Sequence, residues 1–137
     1  MGGSNSTKRG VTYKNGSPAF KGDEVVKGFD KDNGLLFRIV KKKKKGGQTW
    51  AFYNDTTQYN MVIKVIFTTG CELTALGSTK LVEREKGEWV ATVMVMPGRT
   101  EMFVEGKIEG FKSNMDAYPV MGDNSGNRLA KVGMKAS

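Results

Sequence analysis

The residues best suited to chemistry are the first nine, Met1-Gly2-Gly3-Ser4-Asn5-Ser6-Thr7-Lys8-Arg9. They fit the Met-Gly-x-x-x-Ser/Thr pattern of N-myristoylation. Removal of Met1 exposes the amine of Gly2, and only glycine, with no Cβ, leaves that amine open to an acylating enzyme. Gly3, Ser4 and Asn5 are small enough to follow it into a narrow channel. Ser6 stands at the required position, and Lys8 and Arg9 add positive charge just behind. The competing reading is an ordinary polar N-terminus, so the rest of the sequence must decide.

Composition removes most other chemistry. The chain has no histidine, so neither a Ser-His-Asp nor a Cys-His catalytic set can be built, and the commonest zinc ligand is missing. A single cysteine, Cys71, excludes an internal disulfide and a thiolate cluster. Its expected place is a packed strand end. Asp30-Lys31-Asp32-Asn33-Gly34 begins like a calcium loop, but the twelfth position is Lys41 rather than glutamate, which leaves a turn. No catalytic residue, metal site or cofactor is therefore expected.

What the composition offers instead is positive charge, +8 net with a pI near 9.6, which suits an anionic partner. Lys41, Lys42, Lys43, Lys44 and Lys45 form an unbroken run that must sit in solvent. It is either a solvated loop that blocks edge aggregation or, with Lys8 and Arg9, an electrostatic membrane contact. Trp50, Phe52 and Tyr53 beside it have the composition of a nucleic-acid stacking platform. Strand alternation splits them between two faces, however, and an acyl signal disfavours that reading. Met61, Met94, Met96 and Met102 lie in or beside apolar strands. They are core, or they line an apolar cleft for a lipid, an extended peptide or the protein's own myristate.

These residues must be carried by strands, because no segment holds a 3.6-residue apolar period and turn signals recur every eight to twelve residues. Asn15-Gly16 predicts a hairpin between residues 11–14 and 17–20. Residues 24–29 are too short to assign. Residues 35–40 and 48–53 predict a second hairpin, with the five lysines at its tip. In residues 60–68, Met61, Ile63, Val65 and Phe67 form one fully apolar face, and residues 54–59 read as a polar connection. Shorter strands follow at 72–76 and 79–84. Residues 88–96 turn at Pro97-Gly98 into 100–105, with Met102 and Val104 on one face and Phe103 on the other. Residues 107–111 read as a last short strand. The expected architecture is all-β, an antiparallel sandwich or partly closed barrel over residues 11–120. A flexible arm (residues 1–10) and a disordered Gly/Asn/Lys-rich tail (residues 121–137) flank it. The length suits one domain. Without a span of about 20 apolar residues or a signal-peptide core, a cytosolic monomer is expected.

Several blocks then resemble one family in order: Lys27-Gly28-Phe29; Asp32-Asn33-Gly34-Leu35-Leu36-Phe37-Arg38-Ile39-Val40; Trp50-Ala51-Phe52-Tyr53-Asn54-Asp55-Thr56-Thr57; Gly87-Glu88-Trp89-Val90; Thr100-Glu101-Met102-Phe103-Val104-Glu105-Gly106; and Gly110-Phe111-Lys112-Ser113-Asn114-Met115-Asp116-Ala117. They resemble the small myristoylated proteins of kinetoplastid parasites. That resemblance implies an antiparallel domain similar to the non-catalytic C2-like domain of calpains. It also implies acylation of Gly2, no protease activity, and attachment to the inner leaflet near the flagellum or flagellar pocket. The family's best-known members carry a second acylation site, a cysteine beside the acylated glycine; here that position is Gly3. One myristoyl chain alone binds membranes marginally, with K on the order of 10⁴ M⁻¹. The sequence thus implies a non-enzymatic, singly acylated adaptor that needs help from charge or from an unidentified protein partner.

Overall fold

The computed structural model describes residues 12–28 and 35–120. The arm with Gly2, Lys8 and Arg9, the turn at residues 30–34 and the tail at 121–137 lie outside the described residues. Nine strands are described: β1 (Glu24–Gly28), β2 (Leu36–Lys42), β3 (Gln48–Asn54), β4 (Tyr59–Phe67), β5 (Glu72–Ala75), β6 (Lys80–Glu85), β7 (Glu88–Val95), β8 (Thr100–Lys107) and β9 (Phe111–Pro119). All pairings are antiparallel. Five strands form one sheet in the order β1-β2-β3-β8-β5, and four form the other in the order β9-β4-β7-β6. The sheets stack as a sandwich and do not close into a barrel.

The core is built from alternate residues of each strand. Met61, Ile63, Val65 and Phe67 on β4 meet Trp50 and Phe52 on β3, with Ala91, Val93 and Val95 on β7 beside them. Trp50 lies 5.5 Å from Phe67 and 4.8 Å from Phe111, and Phe52 packs edge-on to Phe103 at 5.0 Å, between ring centroids. Such offset and edge contacts favour aromatic pairs beyond the area they bury.

Four expectations are corrected. Phe103 and Val104 are both buried. The register against β3 shifts between Trp50 and Ala51, which pair with Val104 and Met102. Phe103 is thus the extra residue of a β-bulge, and simple alternation fails there. The last strand is not residues 107–111 but β9. Residues 108–110 turn at Cys71, whose buried Sγ accepts the N–H of Glu109 at 3.2 Å. The Asn15-Gly16 segment turns without making a hairpin: residues 12–23 hold no strand. Instead they cross the outer face of the five-stranded sheet, where Tyr13 and Phe20 cover Phe37, Ile39 and Tyr53. This strap approaches β2 so closely that a Cβ on Gly22 would come within 2.4 Å of the Val40 carbonyl oxygen. Asp23 N–H donates to that same oxygen at 2.7 Å.

The fourth correction is the connection after β3, which is polar but buried. The Asn54 amide donates to the carbonyls of Tyr59 (2.7 Å) and Val95 (2.8 Å), and its oxygen accepts from the Thr56 hydroxyl (2.7 Å) and N–H (3.1 Å). One side chain on the five-stranded sheet thereby satisfies two strands of the other. Asn54→Ala leaves these partners bare and is expected to cost about 3 kcal/mol. A lower urea midpoint at unchanged slope would register that loss.

Candidate functional site

The lysine run is shared between a strand and a turn. Lys41 and Lys42 belong to β2, pairing with Thr49 and Gln48, so the solvent tip is shorter than the run. The turn closes through Lys43 N–H to Gly47 O at 2.8 Å. Three acidic residues temper it. Asp23 accepts the Lys42 N–H at 2.6 Å, Glu24 lies 4.0 Å from the Lys42 ammonium, and Glu105 pairs with the Lys43 ammonium. Exposed pairs of this kind contribute little stability, but they lower the field of the run. Among the described residues Lys41, Lys44 and Lys45 enter no ion pair.

The opposite end of β3 holds Asp55, which is buried. Its carboxylate accepts the N–H groups of Lys14 and Asn15, both at 2.7 Å, and the Tyr53 hydroxyl at 3.3 Å. The Asn15 side chain returns a bond to the Asp55 carbonyl at 2.8 Å. This clamp makes the segment a strap. Polar residues after a strand were the sequence signal for it, but nothing in their order showed that the acceptor would sit beneath the chain entry. Tyr13 packs at 4.9 Å on Phe37 and 5.4 Å on Tyr53. Burial raises both tyrosine hydroxyls above their usual value, and the Asp55 charge raises them further.

Strap and lysine turn therefore occupy opposite ends of one face. β3 has seven residues between them, about 23 Å. Gly2 to Tyr13 can span at most roughly 40 Å of extended chain, so an acyl group on Gly2 and the lysine turn can reach one plane if the strands lie along it. Lys14, Lys21, Lys27 and Lys41 are exposed on this side. The cleft methionines are not brought together: Met61 is fully buried in the core, Met94 and Met96 are exposed at β7 and its end, and Met102 is half-buried opposite Ala51. Trp50, Phe52 and Tyr53 are all buried and offer solvent no ring face.

Sequence reasoning also passed over Arg38. It lies on the inner side of β2 between Leu36 and Val40, with its guanidinium 4.3 Å from the Trp50 ring centroid and 5.0 Å from that of Phe111. Burial pulls it below its usual value, opposed by Glu24. Its Nε is buried without a hydrogen-bond partner among the described residues.

Residues 13–120 match the family described as a domain of unknown function, DUF1935. The NMR structure of SMP-1, a small myristoylated protein from Leishmania major, is similar over 96% of this chain and 95% of that one, with 53% identity and a TM-score of 0.74. The chain belongs to the kinetoplastid small myristoylated protein family. A Leishmania major hypothetical protein shares the fold at 31% identity, covering 82% of this chain and 96% of its own, with a TM-score of 0.71. No curated protein matches. The family match spans the strap, both sheets and β9, so Asp55, Arg38 and the lysine turn all fall inside it.

Two outcomes test the strap. Asp55→Ala is expected to abolish amide protection at Lys14 and Asn15 while β3 and β4 keep theirs, seen by hydrogen exchange. Stability should hold up to about pH 10 and fall as pH rises through the raised values of Tyr13 and Tyr53, because the native state holds those protons more tightly than the unfolded chain. Asp55→Asn should make that alkaline fall shallower in urea titrations.

Proposed function

We propose that this protein is a non-enzymatic adaptor, N-myristoylated at Gly2 and held at the cytoplasmic face of the plasma membrane in the flagellar region. The observation that carries this is the 53% identity, across nearly the whole chain, to a protein named for its myristate. This chain presents Gly2 and Ser6 in the matching acylation pattern. Gly3 stands where the resemblance puts a second acyl site, so one chain must suffice. One myristate binds marginally and reversibly. Basic residues beside an anionic leaflet add about 1 kcal/mol each, so two or three supply the missing thirty- to hundredfold.

The exposed lysines on the strap side support this reading. In this reading the strap side faces the leaflet, with exposed Lys14, Lys21, Lys27, Lys41, Lys44 and Lys45 toward the headgroups. The domain then lies on its side and offers the outer face of the four-stranded sheet to a protein partner. Attachment of this kind exchanges with the cytosol and responds to salt.

A second reading has one observation behind it, the bare Nε of Arg38 between Trp50 and Phe111. A cation set among rings at the margin of an apolar core suits an anionic group with an apolar tail. A fatty acid would then be the ligand, with Arg38 rather than the four methionines marking the cleft. Chemical-shift changes on adding a fatty acid should centre on Arg38, Trp50 and Phe111 and vanish in Arg38→Met.

Gly2→Ala is expected to move the protein from the membrane fraction to the cytosol; a mutant that stays bound removes the acyl anchor from the account. In vesicles with about 30% anionic lipid, Lys44→Gln with Lys45→Gln should weaken the acylated protein roughly thirtyfold. Half-molar salt should largely erase the difference between that variant and the parent.

A further inference from the structure

Ser17 is the one serine or threonine of this chain that proline follows; the other two prolines come after Met96 and Tyr118. It lies on the strap, between two anchors. On one side the Lys14 and Asn15 N–H groups donate to the Asp55 carboxylate, both at 2.7 Å. On the other the Ala19 N–H donates to the Thr100 hydroxyl at 2.9 Å. Tyr13 and Phe20 hold the same segment down on Phe37, Ile39 and Tyr53. Residues 16–18 between the anchors have no regular structure, and Ser17 is exposed. Its hydroxyl thus stands in solvent at a defined place on the domain, and neither anchor uses it.

A hydroxyl so placed suits a phosphoryl acceptor. Protein kinases bind the substrate segment extended, and the residue before a proline is held extended by the clash with its ring. Proline also brings no N–H. One class of serine/threonine kinase requires it directly after the acceptor, because its groove gives an N–H at that point no partner. For that class Pro18 selects Ser17 over every other hydroxyl in the sequence.

We propose that Ser17 is phosphorylated by a proline-directed serine/threonine kinase and that the phosphate weakens the membrane contact of the strap side. This rests on the orientation proposed above. In the transfer the Ser17 Oγ attacks the γ-phosphorus of ATP, its proton passes to the base of the kinase, and ADP leaves. Hydrolysis by a phosphatase restores the hydroxyl and releases inorganic phosphate. Phosphoserine carries a charge of about −1.5 to −2. The nearest strap lysines, Lys14 and Lys21, are both exposed and together carry two positive charges. The phosphate therefore cancels the strap's own attraction for an anionic leaflet. The lysine turn does not make up the loss, because Asp23, Glu24 and Glu105 already temper it. Asp55 holds backbone N–H groups, which the phosphate does not replace, so the strap stays clamped and the change acts through charge.

The myristoylated full chain, treated with a proline-directed kinase and ATP, tests this. Intact mass and fragmentation should place the phosphate on Ser17, with none taken up by Ser17→Ala. On vesicles with about 30% anionic lipid the phosphorylated protein should bind roughly ten- to thirtyfold more weakly, and Ser17→Asp, with a single added charge, about fivefold. Half-molar salt should narrow both gaps. Hydrogen exchange should show Lys14 and Asn15 as protected as before. Protein from its native cell should carry the phosphate chiefly in the cytosolic fraction. No uptake at Ser17, or a bare Ser17 in both cell fractions, would overturn the proposal. So would lost protection at Lys14 and Asn15, which would assign the effect to release of the strap. Unchanged affinity after phosphorylation would overturn it too, and Lys44→Gln with Lys45→Gln then shows what failed. If that variant binds weakly, the switch alone is wrong; if it binds like the parent, the lysine contact beneath the switch is wrong as well.

Discussion

The buried pair Asn54-Asp55 is the constraint on which the rest of this domain depends. Asn54 ends β3 and Asp55 follows it directly, and their side chains point opposite ways. Asn54 reaches into the sandwich and satisfies carbonyls on β4 and β7. Asp55 reaches the other way and takes the backbone of the incoming chain. Both are nearly free of solvent, where an unmatched polar group is expensive and a fully matched network specifies one arrangement. One short corner thus sets how the sheets stack and where the chain enters.

The entry point decides what the charge can do. A basic chain with an acylation signal requires only that lipid and lysines reach the same surface. Asp55 holds the strap at one end of the five-stranded sheet and the lysine turn lies at the other, so the proposed orientation lays the strands along the membrane. The acidic neighbours Asp23, Glu24 and Glu105 take up part of the run, so the proposed contact draws also on the exposed lysines of the strap side. On the proposed single acyl chain little binding energy is surplus, and modest charge changes would shift the bound fraction strongly.

Much of this was legible in the sequence. The fully apolar face of β4 follows from strict alternation at Met61, Ile63, Val65 and Phe67, and the β2–β3 hairpin from its apolar runs around a lysine tip. What was not legible depends on partners distant in sequence. Phe103 points inward because of a bulge against β3, which alternation within β8 cannot reveal. Asn15-Gly16 carries a strong hairpin signal, yet a carboxylate forty residues away takes the N–H groups first. Asn54, Asp55 and Thr56 look like a polar loop because composition does not say whether polar groups satisfy one another. Arg38 interrupts an apolar run, and only the rings around it show why a cation is tolerated there. The expected acyl site at Gly2 rests on the sequence pattern alone, because it lies outside the described residues.

The central claim is an orientation: strap side down, strands along the membrane. Paramagnetic relaxation of backbone amides on the myristoylated protein, bound to anionic bicelles carrying a headgroup spin label, measures it directly. Broadening should concentrate at Lys14, Lys21, Lys27, Lys41 and the lysine turn, and should spare Thr92 and Met94 on the outer face of β7. Broadening centred on β7, or spread evenly over both sheets, would contradict the account.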